Sequence, residues 1–265
     1  MTELLHKDLT GRILRVYYDV YNNTSHTYPE YIYENAMAYD LQKLGIPYRR
    51  QPTYEVFYKD CKVGEQRLDI FSAGEVVVEL KVAPELTRLH KAQAISYLKV
   101  TGKQVGLLCN FGASAPDFQR LFFTERQPRN SEQTIRQTLA EFPADYLRPE
   151  LTYEIIGGLY EVHTVLGPGF IQRIYANACY HELRLRGLAV QAGRDLQVIY
   201  RGVIIGTIKF RHIRVENTVV FPVAIMDIND IRLNNLKDWM RLENIPLGIL
   251  VNFYDTSLKP IVLRI

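Results

Sequence analysis

The sequence predicts an α/β protein of two tandem domains, each a central mixed sheet flanked by helices. Three observations lead there. The first is an internal repeat: VGLLCNFG at 105–112 answers LGILVNFY at 247–254, 142 residues further on. In nearly the same register, HTYPEYIYENAMAYDLQKLGIPYRRQ (26–51) answers GPGFIQRIYANACYHELRLRGLAVQA (167–192). With one residue of shift, GEQRLDIFSAGEVVVELKV (64–82) answers GTIKFRHIRVENTVVFPVA (206–224). The second is that helical and strand-like apolar patterns follow one another in the order ααβββαβ, which suits a mixed sheet with helices packed on it. The third is composition. With 265 residues, 47% hydrophobic and 23% charged, the chain can pack two domains of about 130 residues and is not disordered.

Taken in order, Leu9, Ile13, Val16 and Val20 recur at a helical period over Leu9–Tyr21. Pro29 suits the first turn of a second helix, where its missing N–H is harmless. That helix runs through Tyr33, Ala36, Tyr39, Leu41 and Leu44 until Gly45 closes it as a left-handed cap. Strand-like runs follow at Tyr54–Tyr58, Arg67–Phe71 and Val76–Val82, with Ser72-Ala73-Gly74-Glu75 as a hairpin turn between the last two. A third helix is expected over Leu86–Thr101 and a buried strand over Gln104–Asn110. The stretch 124–150 between the copies is polar, contains three prolines, and holds one periodic run at Ile135, Leu139 and Phe142. The domains therefore fall at 1–124 and 146–265, joined by a linker at 125–145 with a short helix.

Composition also limits function. No apolar run reaches the roughly 18–20 residues that span a bilayer, so no membrane role is expected. The opening MTELLHKDLTGR lacks the apolar stretch and small-residue site of a secretion signal. Cys61, Cys109 and Cys179 are scattered and odd in number, which excludes a four-cysteine metal site and fits a reducing, cytoplasmic compartment. Any metal should then have oxygen ligands. The formal charge of +3 arises entirely in 151–265, with 13 basic and 10 acidic residues.

One constellation carries chemistry. Asp69 ends one hairpin strand, and Glu79 and Lys81 lie on the next. Being two apart, Glu79 and Lys81 share a face while Leu80 points into the core. The flanking valines make this a buried strand, and unpaired buried charges cost several kcal/mol. An ion pair, a metal site, or both together would account for them. Two carboxylates brought together by a hairpin repel unless a cation sits between them or one takes a proton. Such oxygen ligands suit Mg²⁺ or Mn²⁺, and the assembly fits metal-assisted hydrolysis of a phosphodiester. Glu30, opening the second helix, offers a further carboxylate. His90, Gln93 and Tyr97 share one face of the third helix at i, i+3 and i+7.

These residues resemble the GxxExxY proteins of the PD-(D/E)XK nuclease superfamily, over nearly the whole chain and once per copy. The second copy has GFIQRIY (169–175), with Gln172 in place of the family glutamate. The first has TYPEYIY (27–33), which keeps Glu30 and Tyr33 but has Thr27 for the glycine. Only the first keeps the later motifs: RLDIF with Asp69, VVVELKV with Glu79 and Lys81, and HKAQAISYLK with Gln93 and Tyr97. The resemblance implies a restriction-endonuclease-like αβββαβ core. It implies that Asp69 and Glu79, with help from Glu30, bind Mg²⁺ or Mn²⁺. Lys81 would position the attacking water, and Gln93 and Tyr97 would line the site. It also implies a nucleic acid substrate, DNA before RNA.

In the second copy the same alignment sets His212 opposite Asp69, Pro222 opposite Glu79 and Ala224 opposite Lys81. Gln172, Asn235 and Trp239 stand for Glu30, Gln93 and Tyr97. That copy is expected to be catalytically dead, serving as partner in an intramolecular pseudo-dimer, with room for further homo-oligomers. Its Arg184, Arg186, Arg194, Arg201, Lys209, Arg211 and Arg214 form either a phosphate-facing or a merely solvated surface. The competing expectation is a non-catalytic nucleic-acid-binding or assembly module.

Overall fold

A computed structural model describes residues 5–124, 149–255 and 257–265. The chain separates into two units: Met1–Val56 with Glu65–Arg126, and Phe57–Gly64 with Gln127–Ile265. The helix expected around Ile135, Leu139 and Phe142 lies outside the described residues.

In the first unit, the helical period of α1 (Lys7–Asn23) buries Ile13, Val16, Tyr17, Val20 and Tyr21. Helix α2 (Glu30–Lys43) buries Tyr33, Met37 and Leu41 beside them. Both cover one face of a five-stranded sheet ordered β1 (Tyr48–Arg50), β4 (Ile70–Ser72), β5 (Val76–Lys81), β6 (Val105–Asn110) and β7 (Asp117–Phe122). Helix α3 (Arg88–Thr101) covers the other face, packing Ala94, Tyr97 and Leu98 on Phe71, Val77 and Leu108. Strand side chains alternate between the layers: Val76, Val78 and Leu80 join the α1/α2 core and Val77 the α3 core. Glu79 and Lys81 therefore share the α3 side. Strands β5 and β6 are parallel, and α3 is the crossover such a pair requires. Each large apolar side chain so buried contributes about 1.5–3 kcal/mol.

The strand pattern is richer than the expected ααβββαβ. Strands β1, β3 (Cys61–Arg67) and β7 are polar or short, so period and propensity hide them. The single strand expected over Arg67–Phe71 is broken at Leu68 and Asp69. Its partner kinks where Gln51 takes a left-handed φ of 47° ahead of Pro52. The Gln51 N–H then donates to the Asp69 carbonyl and the Leu68 N–H to the Pro52 carbonyl, at 2.8 and 3.1 Å. Beyond the break, β2 (Thr53–Tyr58) and β3 form a separate two-stranded ribbon. The turn between β4 and β5 is as expected: Ala73 and Gly74 have φ of 52° and 69°, and the Glu75 N–H donates to the Ser72 carbonyl at 3.0 Å.

The second unit repeats the plan, and α4 (Pro149–Leu166) begins 142 residues after α1. Helix α5 (Gln172–Leu185) is followed by β8 (Val190–Tyr200), β9 (Val203–Val215), β10 (Thr218–Val223), α6 (Leu233–Leu242), β11 (Leu247–Asn252) and β12 (Ile261–Arg264). The sheet order is β12-β11-β10-β9-β8, again with one parallel pair, β10 with β11. Even single contacts recur. Tyr33 stacks on Phe111 at 4.5 Å and Tyr175 on Phe253 at 4.6 Å. Their hydroxyls donate to the carbonyls of Ser25 and Gly167. Asn110 holds Ala83 by both its N–H and C=O, and Asn252 holds Ile225 in the same way.

Strand register corrects the alignment of the copies. Val76 pairs with Val105 and Thr218 with Leu247, so the counterparts of Glu79 and Lys81 are Phe221 and Val223, not Pro222 and Ala224. The one-residue shift sits in the preceding turn, where Glu216-Asn217 replaces the longer Ala73-Gly74-Glu75. Ile70 pairs with Val78 and Ile213 with Val220, so His212 does stand in the place of Asp69. No helix among the described residues is long and apolar enough to cross a membrane.

Candidate active site

The break between β3 and β4 frees Asp69 from the ladder and turns its carboxylate onto β5, where Oδ2 accepts the Leu80 N–H at 2.7 Å. One residue to the N-terminal side of Leu80, Glu79 is only 1% exposed, and its Oε1 accepts from Lys81 Nζ at 2.6 Å. The same ammonium lies 3.8 Å from Oε2 of Glu30, the first residue of α2. The Lys81 side chain is 14% exposed and that of Glu30 42%, so the cluster opens to solvent on the α2 side. From α3, Gln93 Nε2 donates to the Tyr97 hydroxyl at 2.6 Å, one helical turn apart. The charges of Glu79, Asp69 and Glu30 all act on that phenol. All six sequence-predicted residues thus contribute to one neighbourhood. His90 does other work: its Nδ1 accepts the Thr87 N–H while Thr87 Oγ1 accepts the His90 N–H, a capping box that starts α3.

The electrostatics show too little positive charge. Burial first, and then the Asp69 charge, push Glu79 well above the usual carboxylate range despite Lys81. Burial raises Asp69 as well, against the opposing pull of the Leu80 N–H and of Lys81. Glu30 is raised by its partial burial. Burial would lower Lys81, yet Glu79, Glu30 and Asp69 together hold its pKa above the ordinary value. Glu79 Oε2 is buried and no N–H reaches it; it can bond to Asp69 only if one of the two carries a proton. A buried acceptor left this way costs about 1–3 kcal/mol. A divalent ion would remove that cost and reverse the upward shifts, so this donor set fits a hard cation. Among the described residues no three His, Cys, Asp or Glu side chains form a ready-made cage, and Glu30 meets the cluster through Lys81.

One participant escaped the sequence reading. Glu34, a turn beyond Glu30 on α2, is buried, accepting from Arg50 Nε and Gln51 Nε2 at 2.8 Å each. Its charge acts on both Asp69 and Glu30. The i, i+4 spacing from Glu30 was the available signal, masked by the apolar period of the same helix.

In the second unit the corresponding positions carry neither carboxylate nor lysine. His212, Phe221 and Trp239, in the places of Asp69, Glu79 and Tyr97, pack ring against ring with centroids 4.8, 5.8 and 6.3 Å apart. Gly193 makes room for them: a Cβ there would fall 1.9 Å from His212 Nε2. Burial pushes the His212 pKa down, favouring the neutral ring. Trp239 Nε1 donates to Gln197, and Gln172 donates to the Arg211 carbonyl. Of the basic residues there, Arg186, Lys209 and Arg214 are paired with acids.

A family model described as the PD-(D/E)XK nuclease superfamily matches the chain twice, at residues 7–121 and 149–265. No curated protein and no solved structure matches it.

Proposed function

The chain belongs to the PD-(D/E)XK nuclease superfamily, whose members are mostly hydrolytic nucleases, and on that premise we propose that its N-terminal unit cleaves phosphodiester bonds in nucleic acid, DNA before RNA. Asp69 and Glu79 would hold the divalent ion, Mg²⁺ or Mn²⁺. The observation that carries this reading is the uncompensated acid: a buried carboxylate with a donorless oxygen beside a second raised carboxylate. Once bound, such an ion lowers the pKa of its water and neutralises charge developing on the phosphoryl oxygens.

The chain's own residues do the rest. Lys81, held by Glu79 and Glu30, keeps its proton, so it acts as a fixed cation that orients water and faces phosphate rather than as a base. Tyr97 keeps its proton too, because burial and then the Glu79 charge hold its pKa up. Since Gln93 donates to the phenol oxygen, the phenolic hydrogen is left to reach a substrate oxygen. Glu34, tied to Arg50 and Gln51, fixes α2 against β1 and so positions Glu30.

The C-terminal copy is read as non-catalytic, its centre filled by His212, Phe221 and Trp239, and as the partner in a pseudo-dimer. The detailed pattern fits the GxxExxY group, and three free cysteines agree with a cytoplasmic setting.

The test is cleavage of single-stranded, duplex and branched DNA, and of RNA, with Mg²⁺ or Mn²⁺. Asp69→Asn and Lys81→Ala should each fold and lose more than ~10²-fold in rate, about 3 kcal/mol of transition-state stabilisation. His212→Ala should cut like the parent. If the parent cuts none of these, the non-catalytic binding reading replaces this one; if His212→Ala is inactive, the centre lies elsewhere.

A further inference from the structure

The repeat shows one plug and socket filled, and the same pair open. In the second unit the β2–β3 turn docks on α4 and α5. Tyr58 is fully buried and its hydroxyl donates to Glu182 Oε2 at 2.9 Å. Lys59 Nζ reaches the same oxygen at 2.6 Å and Glu161 at 3.9 Å, and lies 5.4 Å over the Tyr58 ring. Asn177 Nδ2 donates to the Val63 carbonyl at 2.7 Å. Gly64 lies so close to Ile174 that a Cβ would come within 2.7 Å of it.

The same parts recur at the repeat spacing. On the β8–β9 turn, Tyr200, Arg201 and Gly206 occupy the places of Tyr58, Lys59 and Gly64. Arg201 has a φ of 51° against 53° for Lys59, and its guanidinium lies 5.2 Å over the Tyr200 ring. On α1 and α2, Asp19, Asp40 and Asn35 occupy the places of Glu161, Glu182 and Asn177. The aromatic–cation pair of the plug and both acids and the amide of the socket are therefore all kept. Tyr200 is 57% exposed and Val203 and Ile205 63% each, an apolar tip facing water. Between α1 and α2 lies an open cavity of about 510 Å³ lined by Asp19, Ala36, Tyr39, Asp40 and Leu44.

We infer that the Tyr200–Gly206 tip of one chain docks in the α1/α2 groove of a second copy of this chain, Tyr200 entering the cavity and Arg201 pairing with Asp40 and Asp19. Both surfaces are exposed within a single chain, and their charges are complementary. The contact joins two different patches, so it is head-to-tail, and each chain offers one plug and one socket. The inference does not depend on catalysis.

Sedimentation velocity of the full chain over a concentration series tests it. Weight-average mass should climb with concentration for the parent. Arg201→Glu, at an exposed position, and Asp40→Lys, at a half-buried one on the rim of the cavity, should each raise the dissociation constant roughly 30-fold or more. Gly206→Val should do the same with an unchanged melting curve, since nothing lies within 4 Å of its Cβ position. Mixing the Arg201→Glu chain with the Asp40→Lys chain should restore association in alternation, because each plug then meets a socket of opposite charge in the other variant. Combining both changes in one chain should restore association. A parent that stays monomeric throughout, single variants that associate like it, or a mixture that gives no pairs would overturn the inference.

Discussion

Replacing Lys81 by Met removes the ammonium that faces the Glu79 carboxylate, at 2.6 Å, and leaves that carboxylate buried beside Asp69. Breaking a buried pair from one side typically costs about 3–5 kcal/mol, most of it the penalty of the charge left behind. Two features of this site place the loss near the lower end. Lys81 is not wholly buried, and Glu79, already raised, can take up a proton instead of staying charged. About 3 kcal/mol is therefore expected for Lys81→Met in chelator near neutral pH. At a slope of about 2 kcal/mol per molar urea, the unfolding midpoint of the N-terminal unit falls by roughly 1.5 M. The assay is urea unfolding followed by circular dichroism, with chelator and with millimolar Mg²⁺. Adding Glu79→Gln to Lys81→Met should recover most of the loss, because the stranded charge leaves with it. In the parent, Mg²⁺ should raise the midpoint, since an ion bound only by the folded state stabilises it by mass action. A Lys81→Met chain with the parental midpoint in chelator would refute the reasoning, for Glu79 would then not be a charge held in place by its neighbour.

Three more outcomes follow from the geometry. Asn110→Ala and Asn252→Ala should each destabilise their own unit by about 1–3 kcal/mol, because each leaves the backbone of Ala83 or Ile225 without its partner; differential scanning calorimetry reads this. Gly193→Ala should lower the melting temperature by driving a methyl into the His212 ring, and His212→Ala in the same chain should restore it. The third concerns acid. Burial would raise Glu182, yet hydrogen bonds from Lys59, Tyr58 and Arg186 together hold it below its ordinary value. A depressed folded pKa gives stability that is present above the unfolded value, about 4.3, and is lost as pH falls through the folded one. The acid limb of the second unit should therefore flatten in Glu182→Gln, as read by unfolding midpoints at stepped pH.

How far the residues alone led can be judged element by element. The helices and the buried strands β5 and β6 were legible, because the 3.6-residue period and the runs VVVEL and VGLLC are strong signals. Strands β1, β3 and β7 were not. They are short or polar, and they exist because neighbouring strands leave N–H and C=O groups that need partners. The pairing of Glu79 with Lys81 was readable from alternation along one strand. The hairpin also placed Asp69 near them, but the kink at Gln51–Pro52 that frees its carboxylate from the ladder is a break no apolar pattern marks. Glu34 lay hidden for the opposite reason: a buried acid on an apolar helix face looks like an interruption until Arg50 and Gln51 are seen to satisfy it.

The amino-acid order by itself determined the duplication, the α/β layering and the asymmetry of charge-bearing residues between the copies, since all three are matters of which residue types stand at which spacing. Only the folded chain decided what those residues do together. Register moved the counterparts of Glu79 and Lys81 to Phe221 and Val223, because a one-residue difference in a tight turn is invisible until hydrogen bonds are counted across the ladder. Packing turned three substitutions into a single aromatic plug in the second copy, and burial left Glu79 short of positive charge in the first. Ladder pairing, ring contact and desolvation are distances in space, and no one-dimensional spacing contains them.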